Sequence, residues 1–289
     1  NIKSTQWIAD ASIFVDKKYK PTLNLIYLPH LDYCLQKFGV DFNKISKELA
    51  EIDQVLQQLI EHFESTNAHI ILLSEYGINN VTEPIHLNRI LREHDCLAIR
   101  EERRLELLDA GASRAFAVSD HQIAHIYVKN SADNKEVKKI LEAIPGVAKV
   151  LDSKEIESHH LNHERTGDFV IIADTDKWFT YYYWLNDEKA PDFARCVEIF
   201  KKPGYDPVEM FMDPKNPFIK LRAGYKLARK LTGFRYLMDV IPLDATLVKG
   251  SHGSPFCDKQ FYPVFISKQT TKSEIEPTDV YKLILNSIF

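Results

Sequence analysis

The pattern that most narrows the fold of this 289-residue chain lies in its first third, where two short apolar runs flank one long amphipathic stretch. "TLNLIYL" at 22–28 and "HIILLSE" at 69–75 are short and nearly continuous in apolar residues, which suits strands covered on both faces. Between them, "ISKELAEIDQVLQQLIEHF" at 45–63 sets Leu49, Ile52, Val55, Leu56 and Ile60 at helical spacing. Strand, helix, strand is the crossover unit of a parallel sheet, and in such sheets ligands bind beyond the C-terminal ends of the strands. Asp32 follows the first run and Glu75 closes the second, so both acids are expected at that edge.

The alternation continues. "HLNRILREHDCL" reads as a helix, "SRAFAVS" and "QIAHIYV" as strands, "DNKEVKKILEAI" as a helix and "DFVIIAD" as a strand, together a small α+β lobe at about 113–175. "EHDCLAIREERRLELL" reads as a solvated, mixed-charge helix face. "TLVKG" is a later strand that delivers His252, and "YPVFIS" and "PTDVYKLILNSIF" supply a last strand and helix. The expected class is α/β: a mostly parallel sheet flanked by helices, with the small lobe attached. With 45% hydrophobic and 27% charged residues, the chain buries a core large enough for one big domain.

A net charge of -4, with Lys and Arg spread along the chain, argues against nucleic acid as a partner and leaves small charged ligands open. Cys34, Cys96, Cys196 and Cys257 lie far apart without metal-finger spacing, so free thiols in a reducing compartment are expected, which favours the cytoplasm. No apolar run approaches the roughly 20 residues of a membrane-spanning helix, and no signal peptide opens the chain. The first residue is Asn1 rather than Met, so the sequence is expected to be a trimmed piece lacking an N-terminal part. Nothing in it reports the oligomeric state.

Three strand ends carry competent groups: Asp32, Glu75 and His252 are oxygen and nitrogen ligands suited to Zn²⁺, Mn²⁺ or Fe²⁺. The bland alternative is that loops at strand ends are polar because they are solvated. "ESHHLNHE", with His159, His160 and His163, reads as an exposed linker, and "WFTYYYWL" suits either a stacking platform or a core. "KKPGYDPVEMF" reads as a rigid loop built on Pro203, Gly204 and Pro207.

Five segments in chain order then resemble the type I phosphodiesterase / nucleotide pyrophosphatase family of the alkaline phosphatase superfamily. "DYCLQKFG" is similar to its D-x-x-x-H-x-x-G-P motif through Asp32 and Gly39, and "LLSEYGI" to its S-D-H-G-M block through Ser74 and Gly77. "KGSHG" matches the closing G-x-H-G through Gly250, His252 and Gly253. "HERTGDFVIIAD" with "DKWF" resembles its R-x-G-D strand and following Trp, and "SEIEPTDVYKLIL" its terminal T-D helix.

The resemblance implies an alkaline-phosphatase-like fold, two divalent metal ions (Zn, Mn or Fe), and cleavage of a phosphodiester or phosphoanhydride in a small phosphorylated or nucleotide substrate. It implies that Asp32, Glu75 and His252 are metal ligands. The chain departs from the pattern where Gln36 replaces a His and Glu75-Tyr76 replaces an Asp-His pair. A Gln carbonyl is a weak neutral ligand, and a Tyr binds metal well only as phenolate. Asp120 and His121, at a turn between two apolar runs, are candidates to replace the lost ligands, with Gln36 as a further ligand and His125 four residues beyond His121. A turn cap and a core or surface histidine are the alternatives there. His30 reads as a group orienting Asp32 or as a loop residue, and Tyr76 and His125 as supporting or substrate-facing groups.

The family's Thr or Ser nucleophile precedes the D-x-x-x-H block by more than the 31 residues before Asp32, and Ser4 and Thr5 look like a helix N-cap. The 289 residues are therefore expected to be the C-terminal part of a single catalytic domain, inactive when isolated, with the nucleophile upstream. The competing expectations are a non-catalytic ligand-binding protein on a degenerate scaffold, or a related phosphonate hydrolase, sulfatase or phosphomutase.

Overall fold

The computed structural model describes residues 1–268 and 273–288. The chain divides into two compact units, residues 1–78 with 258–289, and residues 79–257. The first unit opens with α1 (Ile2–Tyr19), α2 (Asp32–Phe38), α3 (Ser46–Ser65) and β1 (Ile71–Leu73). The second carries β2 (Asn79–Asn80), β3 (Glu83–Ile85), α4 (Leu87–Glu93), β4 (Ile99–Glu102) and β5 (Leu105–Leu108). It continues through β6 (Ala115–Asp120), β7 (Ile123–Val128), α5 (Asn134–Glu142), β8 (Val147–Leu151), α6 (Ser153–Ser158) and β9 (Phe169–Ala173). β10 (Lys177–Phe179), α7 (Ile219–Leu231) and β11 (Gly250–Ser251) end that unit, and β12 (Phe265–Ser267) and α8 (Asp279–Ile288) belong to the first. Phe289, the last residue of the expected terminal helix, lies outside the described residues.

In the first unit, the helix expected at 45–63 is α3. Its buried Ile52, Val55, Leu59 and Phe63 recur on one face, and the last three pack with Ala9 of α1. Each such burial contributes on the order of 1.5–3 kcal/mol. The first apolar run behaves differently from its expected form. Residues 22–28 join no ladder; Ile26 and Leu28 pack onto the α1/α3 core, while Leu25 and Tyr27 are 80% and 60% exposed. A continuous apolar run does not say how many of its faces are covered, and here only one is. β1 pairs instead with β12, antiparallel, with Leu72 opposite Ile266, so the parallel crossover is not formed by these two runs. At the start of α1 the Asn1 side chain accepts a hydrogen bond from the Lys3 N–H, which places Ser4 and Thr5 inside the helix rather than at its cap.

The second unit is built on an antiparallel sheet of order β6-β7-β9-β8. All five residues of β9 are buried: Phe169, Ile171 and Ala173 enter the main core, and Val170 and Ile172 a second cluster with Ile156 of α6. Strict alternation of faces along a strand produces that division. α5 seals the main core with Val137 and Leu141, four residues apart. α6 opens with a capping box, Asp152 bonding the Glu155 N–H and Glu155 the Asp152 N–H. "WFTYYYW" is core: Trp178, Phe179, Tyr181, Tyr182, Tyr183 and Trp184 are fully buried. The helix proposed through "EHDCLAIREERRLELL" ends at Glu93, and the rest is the β4–β5 hairpin, turned by Arg103 and Arg104 at φ 53° and 67°. Its reversal needs two left-handed residues, which charge pattern alone does not reveal. None of the four cysteines is in a disulfide.

Candidate functional site

Chemically competent groups gather in one cluster in each unit. In the first, α2 begins at Asp32, and the four-residue spacing sets Gln36 on the same helix face. Gln36 Nε2 donates to Asp32 Oδ1 at 2.7 Å, and the Tyr76 hydroxyl donates to the same oxygen at 3.2 Å. Gln36 is 1% exposed, yet its Oε1 has no hydrogen-bond partner among the described residues. A buried carbonyl oxygen left unpaired costs about 1–3 kcal/mol, a cost that a bound cation would remove. Burial, followed by the charge of Asp32 and its hydrogen bond, pushes the Tyr76 phenol well above its usual range. Tyr76 is thus a proton donor to Asp32 at neutral pH, not a phenolate. Tyr27 is also raised, by burial and then by Glu75 and Asp32, which places Glu75 in the same electrostatic neighbourhood although its side chain is exposed. Gly77 is required where it stands: a Cβ there would lie 1.4 Å from the Phe261 carbonyl oxygen.

His30 does not orient Asp32. Its Nδ1 shares a hydrogen bond with the buried Thr5 hydroxyl of α1 at 3.2 Å, and its Nε2, without a hydrogen bond among the described residues, lies 3.3 Å from a Glu51 carboxylate oxygen of α3. Thr5 is engaged and buried, which removes it as a nucleophile.

In the second unit, the β6–β7 turn meets the loop after β11. The His121 and His252 rings lie 3.9 Å apart between centroids, with Tyr205 4.9 Å from His121. Ser251 Oγ is 3.4 Å from His121 Nδ1, and the exposed Asp120 carboxylate 3.8 Å from His121 Nε2. Burial and then the neighbouring His252 push His121 down to about 3, so it is a neutral imidazole with a lone pair to offer. His121 holds φ 55°, a conformation costly for a side chain of this size, at the turn's first residue. His125 lies apart from the pair; its Nδ1 accepts the Gly167 N–H, and burial lowers its pKa.

Gln122, absent from the candidates drawn from sequence, fixes this arrangement. Its backbone N–H donates to the His252 carbonyl at 2.9 Å, and its Oε1 accepts from the Ser254 N–H at 3.3 Å, tying down the chain from the His252 carbonyl onward. The fully buried side chain also takes a hydrogen bond from Asn79 Nδ2 at 3.1 Å and donates to the Thr175 and Lys177 carbonyls at 2.9 and 3.0 Å. Tyr205 reaches His121 because Gly204, at φ 122°, bridges to Ser119; a Cβ on Gly204 would sit 2.1 Å from the Ser119 carbonyl oxygen. The available signal for Gln122 was a lone amide at the mouth of a hairpin between two apolar strands. The signal for Gly204 was its place in the Pro-Gly loop.

Among the described residues no three His, Cys, Asp or Glu side chains are grouped to hold a metal. The donors present nevertheless fit one: a carboxylate beside an amide oxygen unpaired among the described residues in the first unit, and two adjacent imidazoles in the second. His159, His160 and His163 are exposed, as the linker reading had them.

Residues 1–206 match the model of the type I phosphodiesterase / nucleotide pyrophosphatase family, a span that holds every candidate except His252. No curated protein sequence matches the chain. Among solved structures, phosphonoacetate hydrolase from Sinorhizobium meliloti 1021, in complex with phosphonoformate, is similar with a TM-score of 0.57 and 15% identity, over 100% of this chain and 57% of that one. Murine ectonucleotide pyrophosphatase / phosphodiesterase 5 gives 0.56 and 17% over 97% and 58%, and an inactive form of it has been solved in complex with AMP. The human counterpart gives 0.56 and 15%, over 97% and 57%. The chain therefore spans less than three fifths of the length of these proteins. They share its alkaline-phosphatase-like α/β fold. With the family match covering most of its length, the chain belongs to the type I phosphodiesterase / nucleotide pyrophosphatase family of phosphoester hydrolases.

Proposed function

We propose that this chain is the metal-binding part of a hydrolase that cleaves a phosphodiester or phosphoanhydride bond in a small phosphorylated or nucleotide substrate. The observation that supports it most is the buried, unpaired Gln36 Oε1 beside the Asp32 carboxylate. Asp32 and Gln36, with Glu75 nearby, are the donors of the first unit; His252, with His121 and the exposed Asp120, are those of the second. Divalent cations, Zn, Mn or Fe, would polarise the phosphoryl oxygens and stabilise the leaving group there. Tyr76 keeps its proton and holds one Asp32 oxygen in place, so the other remains free to ligate. Gln122 fixes the backbone immediately after His252, at its carbonyl and at the Ser254 N–H. The Thr or Ser nucleophile is expected from a segment N-terminal to these residues. The AMP complex of the murine neighbour favours a nucleotide, and the phosphonoacetate hydrolase keeps a phosphonate open.

Calorimetric titration with Mn²⁺ and Zn²⁺ tests the metal half. Gln36→Leu, close in shape, removes the orphan oxygen and also the 2.7 Å hydrogen bond to Asp32, effects of opposite sign on stability, and should bind about tenfold more weakly or worse. Equal affinity in that variant sinks the assignment. Cleavage of bis-p-nitrophenyl phosphate by this chain alone, lost in Asp32→Ala, would overturn the upstream nucleophile.

A second reading draws on Tyr76. Its protonated phenol occupies a metal-ligand position as a hydrogen-bond donor, which suits a non-catalytic binding protein on a degenerate scaffold. Near-stoichiometric metal in the purified protein selects the hydrolase, and its absence with retained nucleotide binding selects the scaffold.

A further inference from the structure

Helix α7 carries a surface that the hydrolase reading does not use. Ile219 and Ala223 pack against the core of the second unit, but no residue of the helix is buried. Its opposite face is apolar and open: Phe218, Leu221, Tyr225 and Leu231 are 65%, 71%, 60% and 87% exposed. A surface helix ordinarily turns its charged side outward and its apolar side inward, so this face lacks the partner that its chemistry calls for.

The charges around it indicate which partner. Residues 214–238 contain seven Lys or Arg and no Asp or Glu, within a chain of net charge -4, a local excess that the whole-chain average conceals. At 100° per residue Lys220 borders one side of the apolar stripe and Arg222 and Arg229 the other, with Lys230 and Arg235 towards the C-terminal end. Asp239 pairs with Arg222 and with Lys226, the latter at 2.8 Å. Lys220, Arg229, Lys230 and Arg235 have no carboxylate in ion-pair range among the described residues. A stripe of Leu and aromatic side chains bordered by Lys220 and Arg229, neither with a carboxylate in ion-pair range among the described residues, matches a bilayer whose acyl layer lies beneath anionic headgroups. No described helix is long and apolar enough to cross a membrane, so the fit is to the surface.

We propose that α7 docks the second unit onto an anionic lipid bilayer, with Leu221 and Tyr225 inserted among the headgroups and the bordering cations on lipid phosphates. The test is co-sedimentation of the full chain with phosphatidylcholine vesicles prepared with or without phosphatidylserine, at low and high salt. Partitioning onto the anionic vesicles should be about tenfold greater or more, and high salt should remove most of that difference. Leu221→Asp with Tyr225→Asp should abolish binding with an unchanged circular dichroism spectrum, since both side chains are exposed. Lys220→Glu with Arg229→Glu, one on each border of the stripe, should abolish the preference for phosphatidylserine.

Equal partitioning of the unmodified chain onto both vesicle types overturns the proposal, as does binding that survives the Asp substitutions. So does a lipid-free dimer, seen by light scattering, that the same substitutions disperse, because a second copy would then be the occupant. The comparison between vesicle types and its salt dependence decides the matter even where a variant fails to fold.

Discussion

Gln122→Met removes one amide and keeps nearly the same length and volume, so its effect isolates hydrogen bonding from packing. The substitution strands the Ser254 N–H and the Lys177 carbonyl, which the amide pairs at 3.3 and 3.0 Å, and takes from the Thr175 carbonyl its 2.9 Å donor. Asn79 Nδ2 keeps only its 3.4 Å contact with Thr175 O. At about 1 kcal/mol for each of the groups that lose a partner, Ser254 N–H, Lys177 O, Thr175 O and Asn79 Nδ2, the expected loss is about 3–4 kcal/mol, towards the upper end for a single substitution. Urea unfolding followed by tryptophan fluorescence measures it in the right place, because Trp178 and Trp184 are buried in the second unit while Trp7 of the first is exposed. The midpoint should fall by about 1–2 M at unchanged slope. Gln122→Glu should be worse at neutral pH, since a carboxylate only accepts hydrogen bonds, and should recover in part as pH falls and the acid regains a donor. A loss below about 1 kcal/mol for Gln122→Met, no larger than that of the exposed His159→Ala, would refute the view that this amide holds the His252 loop.

Burial, reinforced by Arg89, holds His86 down at about 4 from an ordinary 6.5. The unfolded chain therefore binds the extra proton first, and stability should fall as pH drops from about 6.5 to about 4, by up to about 3 kcal/mol. His86→Phe should flatten that slope in acid-unfolding curves. Lys202 is fully buried between Asp206 at 2.8 Å and Glu209 at 2.6 Å, so Lys202→Met should cost about 3–5 kcal/mol in thermal or urea unfolding by leaving two carboxylates uncompensated. Gly204→Ala should cost about 2 kcal/mol or more and shift the Tyr205 ring from His121, measurable as a changed Tyr205 environment by NMR. Alanine at His159, His160 and His163 together should leave metal binding unchanged in calorimetry, because all three are exposed.

The strongest periodic signals were legible in the sequence. The α3 face, the continuously apolar β9 and the alternating β6 and β7 follow from side-chain geometry within a few residues. The grouping of Asp32 with Gln36 is likewise local, one helical turn of spacing. His30 could not be assigned the same way, because its partners, Thr5 and Glu51, are 25 and 21 positions distant and belong to different helices. The β4–β5 hairpin was missed because Arg103 and Arg104 adopt left-handed conformations that neither residue type advertises.

The sequence by itself determined the α/β class, helices α3 and α8 of the first unit and the family motifs, because each rests on periodicity or residue type within a short window. Only the tertiary structure decided that residues 22–28 have one covered face, that Gln36 carries an unpaired oxygen, and that Gln122 braces His252. Those outcomes depend on which distant backbone groups arrive to pair or to exclude water, and no local pattern carries that information.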